Sequence, residues 1–210
     1  MCNSTITDPT ALEHLKPQML FCGDPVQHCG PSLYAGQFRQ HLAQAMNDPE
    51  RILVTQLGYV PYFTPVVSPA ARDRIIGIGN DRRPSFNIDV TKEFITASTA
   101  NIFTMLVLPV VFSISNDIEV YGCDGMSFQS ATKPWSHAHE EDYMGKMAVT
   151  HRIHPGFWTR NYEEEFWSYC NDMEEIIGQA EHAGVSVKSI TPSYVPALAK
   201  RHTAAPGPKV

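Results

Sequence analysis

Short apolar runs alternate with amphipathic stretches along this chain, and that alternation sets the expected architecture. Gln18-Met19-Leu20-Phe21-Cys22 is an apolar run stopped by Gly23-Asp24-Pro25, the pattern of a buried strand ending in a turn. Ser32 then offers an N-cap to a helix in which Tyr34, Phe38, His41, Leu42, Ala45 and Met46 recur at spacings of three and four, until Asn47-Asp48-Pro49 ends the pattern. Ile52-Leu53-Val54 and Ile75-Ile76-Gly77-Ile78 read as further strands. Between them Pro61, Pro65 and Pro69 predict loop with at most a short helical turn.

Ser98-Thr99 precedes an apolar stretch, Ile102 to Phe112, that reads as a buried helix entered through a hydroxyl cap and strained near Pro109. Ile118-Glu119-Val120-Tyr121 is the next strand, closed by Gly122-Cys123-Asp124-Gly125. From 125 to 162 no period is visible, and the expectation is a long irregular lid loop. A clear helical stripe follows: Phe166, Tyr169, Cys170, Met173, Ile176, Ile177 and Ala180, with Gly184 as its stop. Val185, Val187 and Ser189-Ile190 make a last strand, broken by Thr191-Pro192-Ser193. Strands separated by helices predict an α/β fold, a Rossmann-like three-layer sandwich on a mostly parallel sheet. The expected organisation is a polar segment over 1–17, one α/β domain over 18–197 and a disordered tail over 198–210.

Composition narrows the function classes. The 210 residues carry 16 basic and 22 acidic side chains, a net charge of −6, and no basic run longer than Arg82-Arg83 or Lys200-Arg201. A nucleic-acid partner would call for a basic face, so none is expected. Five cysteines, Cys2, Cys22, Cys29, Cys123 and Cys170, are odd in number and form no C-x-x-C pair, which points to a reducing compartment, the cytoplasm. The most apolar stretch is too short to span a bilayer and contains Pro109, so no integral membrane segment is expected. Oligomeric state is not legible in the pattern.

Open α/β sheets bind ligands outside the carboxyl ends of their strands. The loops there are Gly23-Asp24-Pro25, Ser98-Thr99, Gly122-Cys123-Asp124-Gly125 and Thr191-Pro192-Ser193. Their carboxylates suit sugar hydroxyls and a helix start suits a phosphate, although turns favour the same residue types without any ligand. Four of nine histidines, His137, His139, His151 and His154, fall within a twenty-residue window with Glu140, Glu141 and Asp142 among them. Imidazoles in such a loop serve as general bases or metal ligands. His137-Ala138-His139 has the alternate spacing of some metallohydrolases, but the Asp and His expected next are replaced by Glu141 and Asp142. His154 precedes Pro155, which stiffens the backbone, and Phe157 and Trp158 can anchor it. Phe157, Trp158, Tyr162, Phe166, Trp167 and Tyr169 suggest a sugar-stacking wall, with Phe166 and Tyr169 claimed by the helical stripe as core.

Taken in order, Leu20-Phe21-Cys22-Gly23-Asp24-Pro25 before a helix, Ser98-Thr99-Ala100 before a buried helix, Ile118 to Asp124, and the closing helix, strand and Thr191-Pro192-Ser193 resemble the bacterial sialyltransferases that use CMP-sialic acid, and related proteins of the same Rossmann-type fold. The resemblance covers about 18–197. It implies a nucleotide-activated sugar, CMP-linked by preference, held at Asp24, Ser98, Thr99, Gly122, Asp124, Thr191 and Ser193. It further implies an inverting transfer to a glycan or lipid-linked acceptor, with His154 as general base, Tyr143 and Tyr162 steadying the departing phosphate, and no metal cofactor. A lipid-linked acceptor would be met at the inner membrane face. Family members begin with a strand and a Gly-Asn-Gly-Pro-Ser loop. Here Cys29-Gly30-Pro31-Ser32 follows the Asp24 turn, so the expectation is that the first βαβ unit of the family is missing, and Thr99-Ala100 departs from the family's Ser/Thr-Gly. Three other readings compete: a Zn²⁺-dependent hydrolase using His137, His139 and Asp142 with His151 or His154, a noncatalytic α/β module, and a pterin-diphosphate kinase relative dependent on ATP and Mg²⁺.

Overall fold

A computed structural model of the chain describes residues 1–125 and 140–203, with the side chains of 140–144 and 147 excepted. In chain order, helix α1 (Pro9–Leu15) leads to strand β1 (Met19–Phe21), helix α2 (Leu33–Ala45), strand β2 (Ile52–Gln56), the short helix α3 (Val60–Phe63) and strand β3 (Ile75–Asp81). Strand β4 (Ile95–Ala97), helix α4 (Leu108–Phe112) and strand β5 (Asp117–Val120) follow. Helices α5 (Glu140–Ile153) and α6 (Tyr162–His182), strand β6 (Ser186–Ser189) and helix α7 (Pro196–Ala199) complete the chain. The class is α/β with parallel strands, as the alternation predicts.

The chain divides into two compact units, Met1–Asp81 with Ser136–Arg160, and Arg82–Trp135 with Asn161–Val210. In the first, β1, β2 and β3 run parallel, with Leu20 opposite Leu53 and Leu53 opposite Ile75. Its core packs Leu20, Phe38, Leu42, Met46, Leu53 and Phe63 around the sheet. Ser32 caps α2 by accepting from the Ala35 amide, which fixes where the helix leaves the loop. At the amino ends of β2 and β3, the Arg74 guanidinium donates to the carbonyls of Met46, Asp48 and Arg51, so one side chain satisfies the turn from α2 into β2. The polar segment over 1–17 contains α1, capped by Asp8, and buries Ile6 and Leu12 in the same core.

In the second unit β5 and β6 pair in parallel, Ile118 opposite Val187. Helix α6 lays the stripe Tyr169, Cys170, Met173, Ile176, Ile177 and Ala180 into a core with Leu108, Phe112, Ile118 and Val187. The apolar stretch before β5 begins as a π-helical turn, Phe103–Val107, and becomes α4 only afterwards. Pro109 explains this: it has no N–H for the Met105 carbonyl, and its ring collides with that carbonyl in a regular helix, so a wider turn precedes it. The cap expected of Ser98-Thr99 is made instead by Asn101, whose Oδ1 accepts from the Phe103 amide, while the Thr99 hydroxyl bonds the Asn101 carbonyl and Thr104.

The largest departure from the sequence reading is α5, a fourteen-residue helix where irregular loop is expected. Among its described side chains Thr150 is buried, while Val149 and Ile153 are exposed. The remainder of the expected lid, 126–139, and the end of the tail, 204–210, lie outside the described residues.

His28 couples the first unit's fold to pH. Its ring is buried and stacked on Phe38 with centroids 3.9 Å apart, and its Nδ1 accepts from the Asp24 amide at 3.0 Å. Burial lowers its pKa from 6.5 to about 4, against the opposing pull of the Asp24 charge. The unfolded chain therefore binds a proton below pH 6.5 that the folded chain refuses until about pH 4. Stability contributed by the neutral ring is present above 6.5 and lost as the pH falls toward 4, by roughly 3 kcal/mol in all. Urea unfolding at a series of pH values checks this: His28→Gln, whose amide oxygen still accepts from Asp24, removes that part of the slope, and an unchanged slope would assign the proton elsewhere.

Candidate functional site

In the first unit the chemistry gathers where β1 and β2 end. A chain leaving a buried strand must find partners for its backbone groups, and here side chains provide them. Thr55 donates to the Cys22 carbonyl at 2.7 Å and Gln56 to that of Gly23 at 3.3 Å. Asp24 Oδ1 accepts from the amides of Val26 and Gln27 at 2.8 and 2.7 Å, closing a tight turn. Arg39 reaches from α2 to donate to the carbonyls of His28 and Gly30. Gly30 is required by space rather than by its dihedral angles, because a Cβ there would lie 2.4 Å from the Val26 carbonyl oxygen. The loop is thus a fixed object that delivers Gly30-Pro31-Ser32 into α2.

Helix α5 brings its last turn to this loop. The Nε2 of His151 lies 3.4 Å from the Gln27 side-chain nitrogen, and Lys146 bonds Gln37 of α2 at 2.6 Å. The His151 ring stacks on Phe157, centroids 4.2 Å apart. Burial lowers its pKa, Arg160 adds to the lowering, and Asp24 opposes both, so the ring is neutral at neutral pH. With Gln27 donating its amide N–H, Nε2 carries the lone pair and Nδ1 the proton. His154 is exposed, and its Nδ1 accepts from the Gly156 amide at 3.2 Å, capping the short turn Pro155–Trp158. Its neutral ring therefore keeps the proton on Nε2. Burial pushes the Cys29 thiol up to about 11, past the opposing effect of Arg39, so it is no nucleophile at neutral pH.

In the second unit the loops after β5 and β6 are laced together. The Gly122 amide donates to Thr191 Oγ1 at 2.9 Å, Ser193 Oγ donates to the Cys123 carbonyl at 2.6 Å, and the Tyr194 amide donates to the Asp124 carbonyl at 2.6 Å. Gly125 has φ +74°, and a Cβ there would lie 2.9 Å from the Val195 side chain, so a larger residue would be strained and crowded. The Asp124 carboxylate is exposed and has no partner among the described residues, which leaves its lone pairs to solvent or ligand.

The structure brings Gly122, Asp124, Thr191 and Ser193 together, while Ser98 and Thr99 follow β4 in the same unit and Tyr162 opens α6. Asp24 and His154 belong to the first unit, as does Tyr143, whose side chain is not described. Asp142 shares that limit, and His137 and His139 lie outside the described residues. Among the described residues no three His, Cys, Asp or Glu side chains are grouped to hold a metal ion. Sequence reasoning passed over His28, Gln27 and Arg39. The one signal for His28 is its position four residues after an Asp in a turn.

Comparison with protein-family models, curated proteins and solved structures gives no match to this chain. Among the described residues no helix is long and apolar enough to cross a membrane.

The lacing makes a test of roles. Ser193→Ala removes a donor to Cys123 and an acceptor for the Val195 amide, and is expected to cost on the order of 1–2 kcal/mol. Asp124→Asn breaks no side-chain hydrogen bond or ion pair among the described residues and should leave the thermal midpoint unchanged. Equal destabilisation by both would make Asp124 a structural residue.

Proposed function

We propose that the chain is a sialyltransferase-like glycosyltransferase, moving a sugar from a nucleotide-activated donor, CMP-linked by preference, to a hydroxyl of a glycan or lipid-linked acceptor. The observation that carries the reading is the path from β1 to α2: a buried parallel strand, a side-chain-tied loop, and Gly30-Pro31-Ser32 leading into a helix capped by that serine. The resembled family opens on a strand and a Gly-Asn-Gly-Pro-Ser loop, and this path keeps the last three residues of that loop with the Asp24 turn inserted ahead of them. The expectation that the first βαβ unit is missing gives way, on this reading, to an enlarged first loop.

The general base is then His151. It is neutral at working pH, presents a lone pair at Nε2 toward a polar loop, and is held by Phe157, whereas the Nδ1 of His154 is taken up by the Gly156 amide. An acceptor hydroxyl replacing Gln27 as partner would pass its proton to Nε2 as its oxygen bonds the anomeric carbon and the donor phosphate departs.

Two measurements test this. CMP, but not UDP, GDP or ATP, should raise the thermal midpoint, by an amount equivalent to about 2.7 kcal/mol at a hundredfold excess over Kd. ATP with Mg²⁺ acting in its place, or loss of stability with a chelator, would overturn the reading. In transfer assays His151→Ala should lower kcat by roughly a hundredfold or more while His154→Ala retains turnover. Because the base acts when neutral and its pKa is lowered, the acid-side fall in rate should come below pH 6.5. A fall centred above that value, or turnover surviving in His151→Ala, would remove His151 from the role.

A further inference from the structure

We propose that Trp158 and Arg152 form a binding platform for a saccharide bearing a carboxylate, with the pyranose ring on the indole face and the acid on the guanidinium. The inference rests on the glycosyltransferase reading, to which it adds the class of acceptor. Trp158 is 74% exposed, the most open large aromatic side chain of the described residues. It is not loose, because its Nε1–H donates to the Arg152 carbonyl at 3.2 Å, across the end of α5. That bond also satisfies the ring's polar atom, so its π faces are left as the unused surface. Among the described residues no other ring or cation covers them, in contrast to Phe157, which carries His151 and Arg160.

A fixed, open indole is well suited to sugars. The axial C–H bonds of a pyranose present a weakly positive surface, which complements the negative face of the ring. Because the protein already holds the ring, little side-chain freedom is lost on binding. The polar partner comes from the residue whose carbonyl holds the ring: Arg152 is exposed, and its guanidinium has no partner among the described residues. A guanidinium pairs with a carboxylate through two parallel hydrogen bonds, which favours an acidic sugar over its neutral counterpart. The exposed His154 and the half-buried His151 lie on the same short stretch of chain.

Calorimetric titration without any nucleotide donor tests the platform, using a glucuronate-containing oligosaccharide and the same oligosaccharide with its carboxyl groups reduced. The expected result is binding of both, the acidic form more tightly. Trp158→Ala should weaken both at least tenfold and Trp158→Phe much less, with the thermal midpoint unchanged because the side chain is exposed. Arg152→Gln should abolish the preference for the acidic form and leave the neutral one bound as before. Absence of binding by the wild-type chain, or equal binding by Trp158→Ala, would overturn the proposal. Since no donor is present, saccharide binding that persists when CMP fails to stabilise the chain would sink the transferase reading alone, and the reverse result would sink the platform alone.

Discussion

The obligation that governs the first unit is the hydrogen bonding of the backbone as it leaves β1. Strand β1 is only three residues long and buried, so the chain emerges from it into a place where main-chain groups need protein partners. Thr55, Gln56, Asp24, His28 and Arg39 provide them, drawn from β2, from the loop itself and from α2. Each of these side chains is polar and each is spent on the scaffold. What remains for chemistry is what lies around that fixed turn, above all the His151 ring and its contact with Gln27.

The same economy holds at the end of β5. Thr191 and Ser193 read as ligand-binding hydroxyls in the sequence, yet their hydrogen bonds run to the neighbouring loop. Their contribution is to hold the backbone so that the carboxylate of Asp124 stands open. A polar residue at a strand end therefore has two uses, positioning and contact, and only the hydrogen-bond partners distinguish them.

How much was legible in the sequence follows from the same distinction. Helix α6 carries a regular apolar stripe, and α2 a serine cap followed by apolar residues at three and four, so both were readable. Helix α5 was not, because polar and charged residues interrupt its pattern, and the contacts described for it run through Lys146, Thr150 and His151. The cap at Ser98-Thr99 failed because Asn101, three residues on, takes the amide of Phe103, and hydroxyl and amide side chains are equivalent candidates until geometry chooses. His28 escaped notice since a lone histidine in a turn carries no pattern, and its importance lies in what it is buried against. Among the proposed site residues, the loops were found by the strand-end rule, while the choice between His151 and His154 depends on which ring nitrogen is occupied.

Arg74 has a bearing on how this protein can change. One guanidinium binds three carbonyls at the amino ends of β2 and β3, and the loops of the candidate site leave the carboxyl ends of the same sheet. On the proposed reading, anchoring and recognition fall at opposite ends of the strands. If the loops after β1 and β2 bind the proposed ligand, substitutions in them can alter that binding without touching the clamp at the other end of the sheet, which holds the turn between α2 and β2 in place.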